Sequence, residues 1–132
     1  MDVELANYVD AEHALSGTIP EEEVRKTTIR GVVDTGATRL VVPDRIAKAL
    51  GVRTIGDVSV RYADGRSAQR RLVGGIQLTF LGRTSVFNAV VEPDRESALI
   101  GAIVLEDLDL LADGTNQRLV PRDPKQIISE IE

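Results

Sequence analysis

The sequence predicts a mostly-β domain with a closed, barrel-like sheet and one or two short helices. Short runs rich in Val, Ile and Thr are separated by turn residues at close intervals, a pattern typical of strands joined by tight turns. The chain has two Phe, two Tyr and no Trp, so its core must be built from Val, Leu, Ile and Ala. Because no repeat or second domain boundary is visible, we expect a single domain over residues 1–132, with its core at residues 3–121 and a C-terminal tail at residues 122–132.

The N-terminal part of the chain predicts two strands followed by a helix. Residues 3–8 and residues 24–33 are the strand candidates, and the second of them is rich in Val, Thr and Ile. Residues 43–51 fit a short helix because Pro43 stands near its start and Gly51 lies just beyond its end. We expect the apolar residues of this region in the core: Leu40, Val41, Ile46, Ala47 and Leu50.

A β-hairpin is predicted in the middle of the chain. Residues 58–62 alternate apolar and polar side chains, and Asp64-Gly65 is a common two-residue hairpin turn. Residues 67–73 then return as the second strand, which we expect to end at Gly74.

The C-terminal part predicts two more strands, a helix and a closing strand. Residues 76–80 and 84–91 are the strands, joined by a turn at residues 81–83. Residues 102–111 fit the helix, and residues 117–121 fit the closing strand. On the helix we expect an apolar buried side, made of Ile103, Val104, Leu108 and Leu111, and a solvated side that carries Asp107 and Asp109.

The motif Asp34-Thr35-Gly36-Ala37 follows an apolar run and is the strongest candidate for a chemical site. A carboxylate on a tight turn after a buried strand can lie in a low-dielectric cleft, where its proton affinity is adjustable. Gly36 lets the backbone approach a substrate closely, and Thr35 offers a hydroxyl to a neighbouring main chain. Ala37 is small enough to leave room beside the carboxylate. These residue types predict acid/base chemistry at Asp34.

Composition excludes several other kinds of site. The chain has no Cys and one His, His13, which we expect at the surface, so we predict no disulfide, no metal and no cofactor. A net charge of −5 argues against nucleic-acid binding, and no apolar run approaches the roughly 20 residues of a membrane span. The N-terminal residues are not a secretory start, and we expect a cytoplasmic protein.

These motifs make the sequence similar to the retropepsin-like aspartic proteases, a single-domain group that includes the retroviral proteases. In that family a strand leads into Asp-Thr/Ser-Gly-Ala, and a glycine after two apolar residues, a helix and a last strand come some tens of residues later. Leu99-Ile100-Gly101 and the elements that follow it fit this pattern. The resemblance runs over residues 3–121 and implies the closed acid-protease fold.

The resemblance also implies an aspartic endopeptidase that works as a homodimer. The family's reaction needs two carboxylates, and this chain contains the triplet once, so Asp34 of each chain would meet at a two-fold axis. The pair would share one proton and activate a water against the peptide carbonyl, without a covalent intermediate. In this scheme Thr35 braces the two active loops, and Gly36 lines the substrate channel.

Other parts of the site follow from the same resemblance. The hairpin corresponds to the family's flap, with Ala63, Asp64, Gly65 and Arg66 at its tip, and the segment Leu99, Ile100 and Gly101 supports the substrate channel. A flap closes over bound peptide and excludes water from the carboxylates. An ordinary exposed hairpin is the alternative interpretation.

One departure from the family pattern and three open interpretations remain. Thr38-Arg39-Leu40 stands where retroviral enzymes carry acidic residues that bind substrate main chain and brace the dimer. The cluster of Arg66, Arg70 and Arg71 indicates either acidic substrates or a solvated strand face. The same fold could also serve a noncatalytic peptide-binding module, and the triplet alone could be an acidic turn.

Overall fold

The structure, a computed structural model, describes residues 1–115 and 118–132. Over these residues it is mostly β, as predicted, with three short α-helices and a 3-10 turn at Glu21–Glu23. The elements are β1 Asp2–Asn7, α1 Tyr8–Leu15, β2 Lys26–Val33, β3 Leu40–Pro43, α2 Asp44–Leu50, β4 Arg53–Arg61, β5 Ser67–Phe80, β6 Arg83–Glu92, β7 Ala98–Ile100, α3 Ala102–Leu108, β8 Leu110–Asp113 and β9 Arg118–Pro121.

Six of the strands form a closed barrel, which confirms the predicted architecture. The strands follow the order β1-β2-β7-β3-β6-β5, and pairing of β1 with β5 closes the ring. Strand β4 lies outside the ring, antiparallel to β5. The pairs β2–β7 and β3–β6 are parallel, whereas the other pairs are antiparallel. The parallel pair β2–β7 brings the segment before Gly101 beside the segment before Asp34.

The core is mainly aliphatic, with Phe87 as its buried aromatic residue. Its largest fully buried side chains include Leu5, Leu40, Leu50, Ile76, Leu78, Ile100 and Leu108. Burial of each such side chain contributes about 1.5–3 kcal/mol. The core prediction holds for Leu40, Ile46, Ala47 and Leu50, but Val41 is half-buried. Successive residues of a strand face opposite sides, so β3 turns Leu40 and Val42 inward and Val41 outward.

Helix α1 was not predicted, because the strand candidate ran through its first residue. The chain changes direction at Asn7, whose side-chain oxygen accepts a hydrogen bond from the Asp10 amide at 3.0 Å. The Asn7 amide group also donates to the Leu50 carbonyl at the end of α2, at 2.8 Å. An N-cap asparagine is the local signal that marks this helix start. His13 lies exposed on α1, as expected for a surface histidine.

The hairpin strand does not end at Gly74. Strand β5 continues to Phe80 through a bulge, because Val73 pairs with Ala89 while Ile76 pairs with Phe87. Gly75 adopts φ +76°, a left-handed conformation that other residues rarely adopt. The bulge bends one long strand, so its first half pairs with β4 and its second half pairs with β1.

Two of the predicted core residues near α3 are exposed. The helix ends at Leu108, and Asp109 adopts φ +55°, so Leu111 belongs to β8 and is 50% exposed. Ile103 is 41% exposed on the helix, whereas Val104 and Leu108 are buried as predicted. The closing strand β9 pairs with β8 outside the barrel, and Gln117 of the predicted strand lies outside the described residues.

Asp109 anchors the C-terminal tail instead of facing solvent. Its carboxylate accepts hydrogen bonds from Arg122 Nε at 2.7 Å and from the Ile128 amide at 3.0 Å. The Arg122 guanidinium, together with that amide, holds the pKa of Asp109 below its usual value. Arg83 donates to the Asp109 carbonyl at 3.0 Å and to the Gln126 carbonyl at 3.1 Å. The tail is therefore held against its own domain.

Candidate active site

The Asp34 turn is held by its own backbone and by β7. Strand β2 delivers the motif, and the Asp34 amide donates to the Ile100 carbonyl at 3.1 Å. The turn closes where the Ala37 amide donates to the Asp34 carbonyl at 3.1 Å, and the Gly36 amide donates to Asp34 Oδ1 at 2.9 Å. Asp34, Thr35 and Gly36 are exposed, and Ala37 is half-buried. One carboxylate oxygen is thus fixed by the loop, and the carboxyl group faces solvent in the single chain.

Backbone amides at the start of α3 hold the same loop through hydrogen bonds. The Ala102 amide donates to the Ala37 carbonyl at 2.8 Å, and the Ile103 amide donates to the Thr38 carbonyl at 2.9 Å. Gly101 packs so closely that an added Cβ would lie 2.4 Å from the Arg39 carbonyl oxygen. Leu99-Ile100-Gly101 and the start of α3 therefore hold the Asp34 loop in place, whereas the support of a substrate channel by this segment stays a prediction.

A groove of about 790 Å³ runs between the Asp34 loop and the strand β4. Asp34, Gly36 and Ala37 line one wall, whereas Thr35 does not line it. Leu99 also lines the groove. The buried Ile100 does not line it, and it contacts the Asp34 loop through its carbonyl group. The opposite wall is formed by residues 58–63, whose alternating pattern was visible in the sequence. Val41 completes the floor with Val90, which explains why Val41 is not part of the core.

The hairpin tip has a three-residue loop and not the predicted two-residue turn. The Tyr62 amide donates to the Arg66 carbonyl at 2.8 Å, which leaves Ala63, Asp64 and Gly65 as the loop. Gly65 adopts φ +88°, as expected where a left-handed residue follows a tight turn. Ala63 lines the groove, whereas the other three predicted flap residues do not.

Polar contacts stiffen the hairpin tip. Arg66 Nε donates to Asp64 Oδ2 at 2.6 Å, and the Arg66 guanidinium lies 5.3 Å from the centre of the Tyr62 ring. Hydrogen bonds from the Arg66 amide and side chain lower the pKa of Asp64. The Arg66 side chain is therefore engaged within the hairpin.

A half-buried polar network ties the hairpin, next to its tip, to strand β6. The Tyr62 hydroxyl donates to both Glu92 carboxylate oxygens, at 2.8 and 3.0 Å, and Arg70 forms an ion pair with the same carboxylate. Burial, followed by the hydrogen bond to Glu92, raises the pKa of Tyr62. Because Tyr62 and Glu92 both line the groove, the network is part of the groove's lining.

The arginines that reach the groove are not the ones that the sequence singled out. Arg66 pairs with Asp64, Arg70 with Glu92 and Arg71 with Asp44. The groove is instead lined by Arg39, Arg61 and Arg95. Arg39 directly follows the active loop, which is the one local signal that could have identified it. The positions of Arg61 and Arg95 depend on the fold around them.

Two negative observations apply to the described part of the chain. Among residues 1–115 and 118–132, no group of three or more His, Cys, Asp or Glu side chains could hold a metal ion. Within the same residues, no helix is long and apolar enough to cross a membrane.

Comparisons with known proteins identify the family. The family model of the aspartyl proteases matches residues 18–111, more than half of the chain. A comparison with the curated proteins found no match. Among solved structures, the retroviral protease-like domain of Ddi1 from Leishmania major is 19% identical, with a TM-score of 0.53 over 74% of this chain and 81% of that chain. The EIAV protease complexed with the inhibitor HBY-793 is 20% identical, with a TM-score of 0.53 over 62% of this chain and 78% of that chain.

At these identities the solved structures show a common fold, which confirms the barrel that the resemblance implied. The matched residues 18–111 include the Asp34 turn, the hairpin and the segment that supports the loop. Together, the family match and the fold show that the chain belongs to the retropepsin-like aspartic protease family.

Proposed function

We propose that this protein is an aspartic endopeptidase in which two chains each supply Asp34 to one catalytic pair. The observation that carries the proposal is the exposed Asp34 carboxyl group at the wall of a groove, on a turn held by β7 and α3. A supported turn keeps the carboxyl group in one position without further ordering on substrate binding.

Two features of the Asp34 loop support assembly from two chains: its single carboxyl group and its exposed Thr35 hydroxyl. Each chain offers one Asp34, while activation of water against a carbonyl needs both a base and an acid. Thr35 is exposed, and its hydroxyl has no hydrogen-bond partner within residues 1–115 and 118–132. We assign that hydroxyl to the partner's active loop, across the two-fold axis. The free face of the loop is then the centre of the dimer.

The proposed reaction is a hydrolysis in which both carboxyl groups change roles. The ionised Asp34 takes a proton from a bound water, and the water oxygen bonds to the peptide carbonyl carbon. The protonated Asp34 of the other chain gives its proton to the carbonyl oxygen. When the C–N bond breaks, the leaving nitrogen takes the proton now held by the first Asp34, a hydroxyl of the intermediate returns a proton to the other Asp34, and the products are a carboxylic acid and an amine. One proton remains on the pair, ready for the next cycle.

The hairpin is proposed to hold the peptide in the groove. Strand β4 pairs only with β5 among the described strands, so its outer edge can donate and accept backbone hydrogen bonds. An extended peptide between this edge and the Asp34 loop would present its backbone to the catalytic pair. The Tyr62–Glu92–Arg70 network fixes the strands next to the hairpin tip, and the Arg66–Asp64 pair stiffens the tip itself, so that the hairpin offers the peptide a preformed wall.

The free edge of β4 also favours a second candidate, a noncatalytic peptide-binding module. Strand addition needs a groove and an unpaired strand edge, and one chain supplies both. Such a module would bind peptides as a monomer and would not need Asp34.

Dilution separates the two candidates. For the homodimeric enzyme, cleavage of a peptide library should fall with the square of chain concentration once the chains dissociate. Sedimentation equilibrium on the same samples gives the dimer fraction, and cleavage should follow it. Cleavage proportional to chain concentration in a sample that sediments as a monomer would contradict the proposal. Binding without cleavage, at concentrations where dimers form, would favour the module.

A further inference from the structure

The groove carries positive charge although the chain as a whole is acidic. The net charge of the chain is −5, but the charged side chains that line the groove are three arginines and two carboxylates. Glu92 is already neutralised by Arg70, and the catalytic pair would hold one proton between two chains. The groove is therefore a local basic region on an acidic protein.

Two of these arginines have no side-chain partner in the part of the chain that the structure describes. Arg95 donates to the Ser97 carbonyl at 2.9 Å, so its guanidinium is partly engaged. Within residues 1–115 and 118–132, Arg39 and Arg61 form no side-chain hydrogen bond and no ion pair, in contrast to Arg66, Arg70 and Arg71. A half-buried guanidinium such as that of Arg39 is stabilised by an anionic partner, because its planar donors match a carboxylate in two-point contact.

The two free arginines stand on opposite walls of the groove. Arg39 follows the Asp34 loop and precedes β3, and Arg61 ends β4 at the base of the hairpin tip. A peptide that occupies the groove passes between them.

We propose that the groove selects peptides with a glutamate or aspartate side chain beside the scissile bond, and that Arg39 and Arg61 are the residues that determine this specificity. The proposal rests on the endopeptidase function given above. The alternative role of Arg39 is an ion pair with the partner chain, and the experiment below distinguishes the two roles.

The test uses a library of decapeptides in which every member with a Glu has a twin with Gln at the same position. The twins differ in charge and not in size, so their ratio reports charge recognition alone. Wild-type protein should cleave the Glu twins about 2- to 5-fold faster, the range expected for a partly exposed ion pair. Added salt should lower this ratio because it screens the pair.

The variants Arg39→Gln and Arg61→Gln should each lower the Glu/Gln ratio toward 1. Arg53→Gln is the matched control, because Arg53 is exposed on the same strand as Arg61 but does not line the groove. Its ratio and its rate should equal those of the wild type. Unchanged ratios in both groove variants would overturn the proposal. So would an Arg39→Gln variant that lowers dimer affinity in sedimentation and keeps the ratio, because Arg39 would then serve the interface.

Capture of the same library by an Asp34→Asn variant keeps the two proposals distinguishable. Cleavage without a preference for Glu overturns the specificity and leaves the protease function standing. Absence of cleavage, with capture of Glu twins that depends on Arg39 and Arg61, overturns the protease function and supports the specificity of the groove. If the protein shows no cleavage and the variant shows no preferential capture, both proposals are overturned.

Discussion

Replacing Asp34 by asparagine is expected to abolish peptide cleavage while the fold is retained. Asparagine cannot take or give the proton that the reaction moves, and loss of such a group costs about 10²–10⁴-fold in rate. Its side-chain oxygen can still accept the hydrogen bond from the Gly36 amide, which Asp34 Oδ1 accepts at 2.9 Å. The loop should therefore keep its shape, and the loss should appear in kcat at saturating substrate.

The matched control for that variant is Asp2→Asn. Asp2 is exposed at the start of β1 and does not line the groove, so the same chemical change there should leave kcat unaltered. Circular dichroism and sedimentation equilibrium of both variants check the fold and the dimer. Turnover like that of the wild type in Asp34→Asn would remove Asp34 from the mechanism.

The second large effect is expected from Gly101→Ala. An added Cβ would lie 2.4 Å from the Arg39 carbonyl oxygen and 2.9 Å from the Ala37 carbonyl oxygen. Both neighbours are backbone atoms, which cannot rotate away as a side chain could. The loop must move, and the hydrogen bond from the Ala102 amide to Ala37 is strained or lost. We expect about 1–3 kcal/mol of destabilisation from overpacking.

The loss of activity in Gly101→Ala should be larger than the loss of stability alone would cause. A displacement of about 1 Å in a positioned catalytic group costs about 10²-fold in rate. Gly56→Ala is the control, because no atom lies within 4 Å of the Cβ that it would add. Thermal unfolding and kcat/KM, measured on both variants, separate the two effects. A Gly101→Ala variant with wild-type kcat/KM would show that the loop does not depend on this contact.

The elements that local chemistry defines could be predicted from the sequence. Helix α2 begins after Pro43 and ends at Leu50, and Gly51 just beyond it adopts φ +64°, as a glycine after a helix commonly does. The turn predicted between β5 and β6 is present, with positive φ at Leu81 and Gly82. Signals of this kind involve residues that are close in sequence, so one sequence is sufficient to read them.

The features that depend on strand register could not be predicted. Arg70 pairs with Glu92 and Arg71 pairs with Asp44, contacts between residues that are distant in sequence. The guanidinium groups of Arg70 and Arg71 are therefore already paired within the chain, whereas that of Arg39 is available to a ligand. A bulge at Gly75 likewise changes which residues face each other without changing the local pattern. The sequence alone therefore points to Asp34 as the candidate site, which stays a prediction, but the charged residues around it could be identified only from the fold.

Mixing active and inactive chains tests most directly whether two Asp34 carboxyl groups form one site. Wild type and Asp34→Asn are combined in equal amounts at a fixed total concentration where both sediment as dimers, after time for the chains to exchange. If each site needs Asp34 from both chains, only wild-type pairs are active, and cleavage should fall to about one quarter of the pure wild-type rate. A fall to about one half would mean that each chain acts alone, and it would contradict the shared catalytic pair.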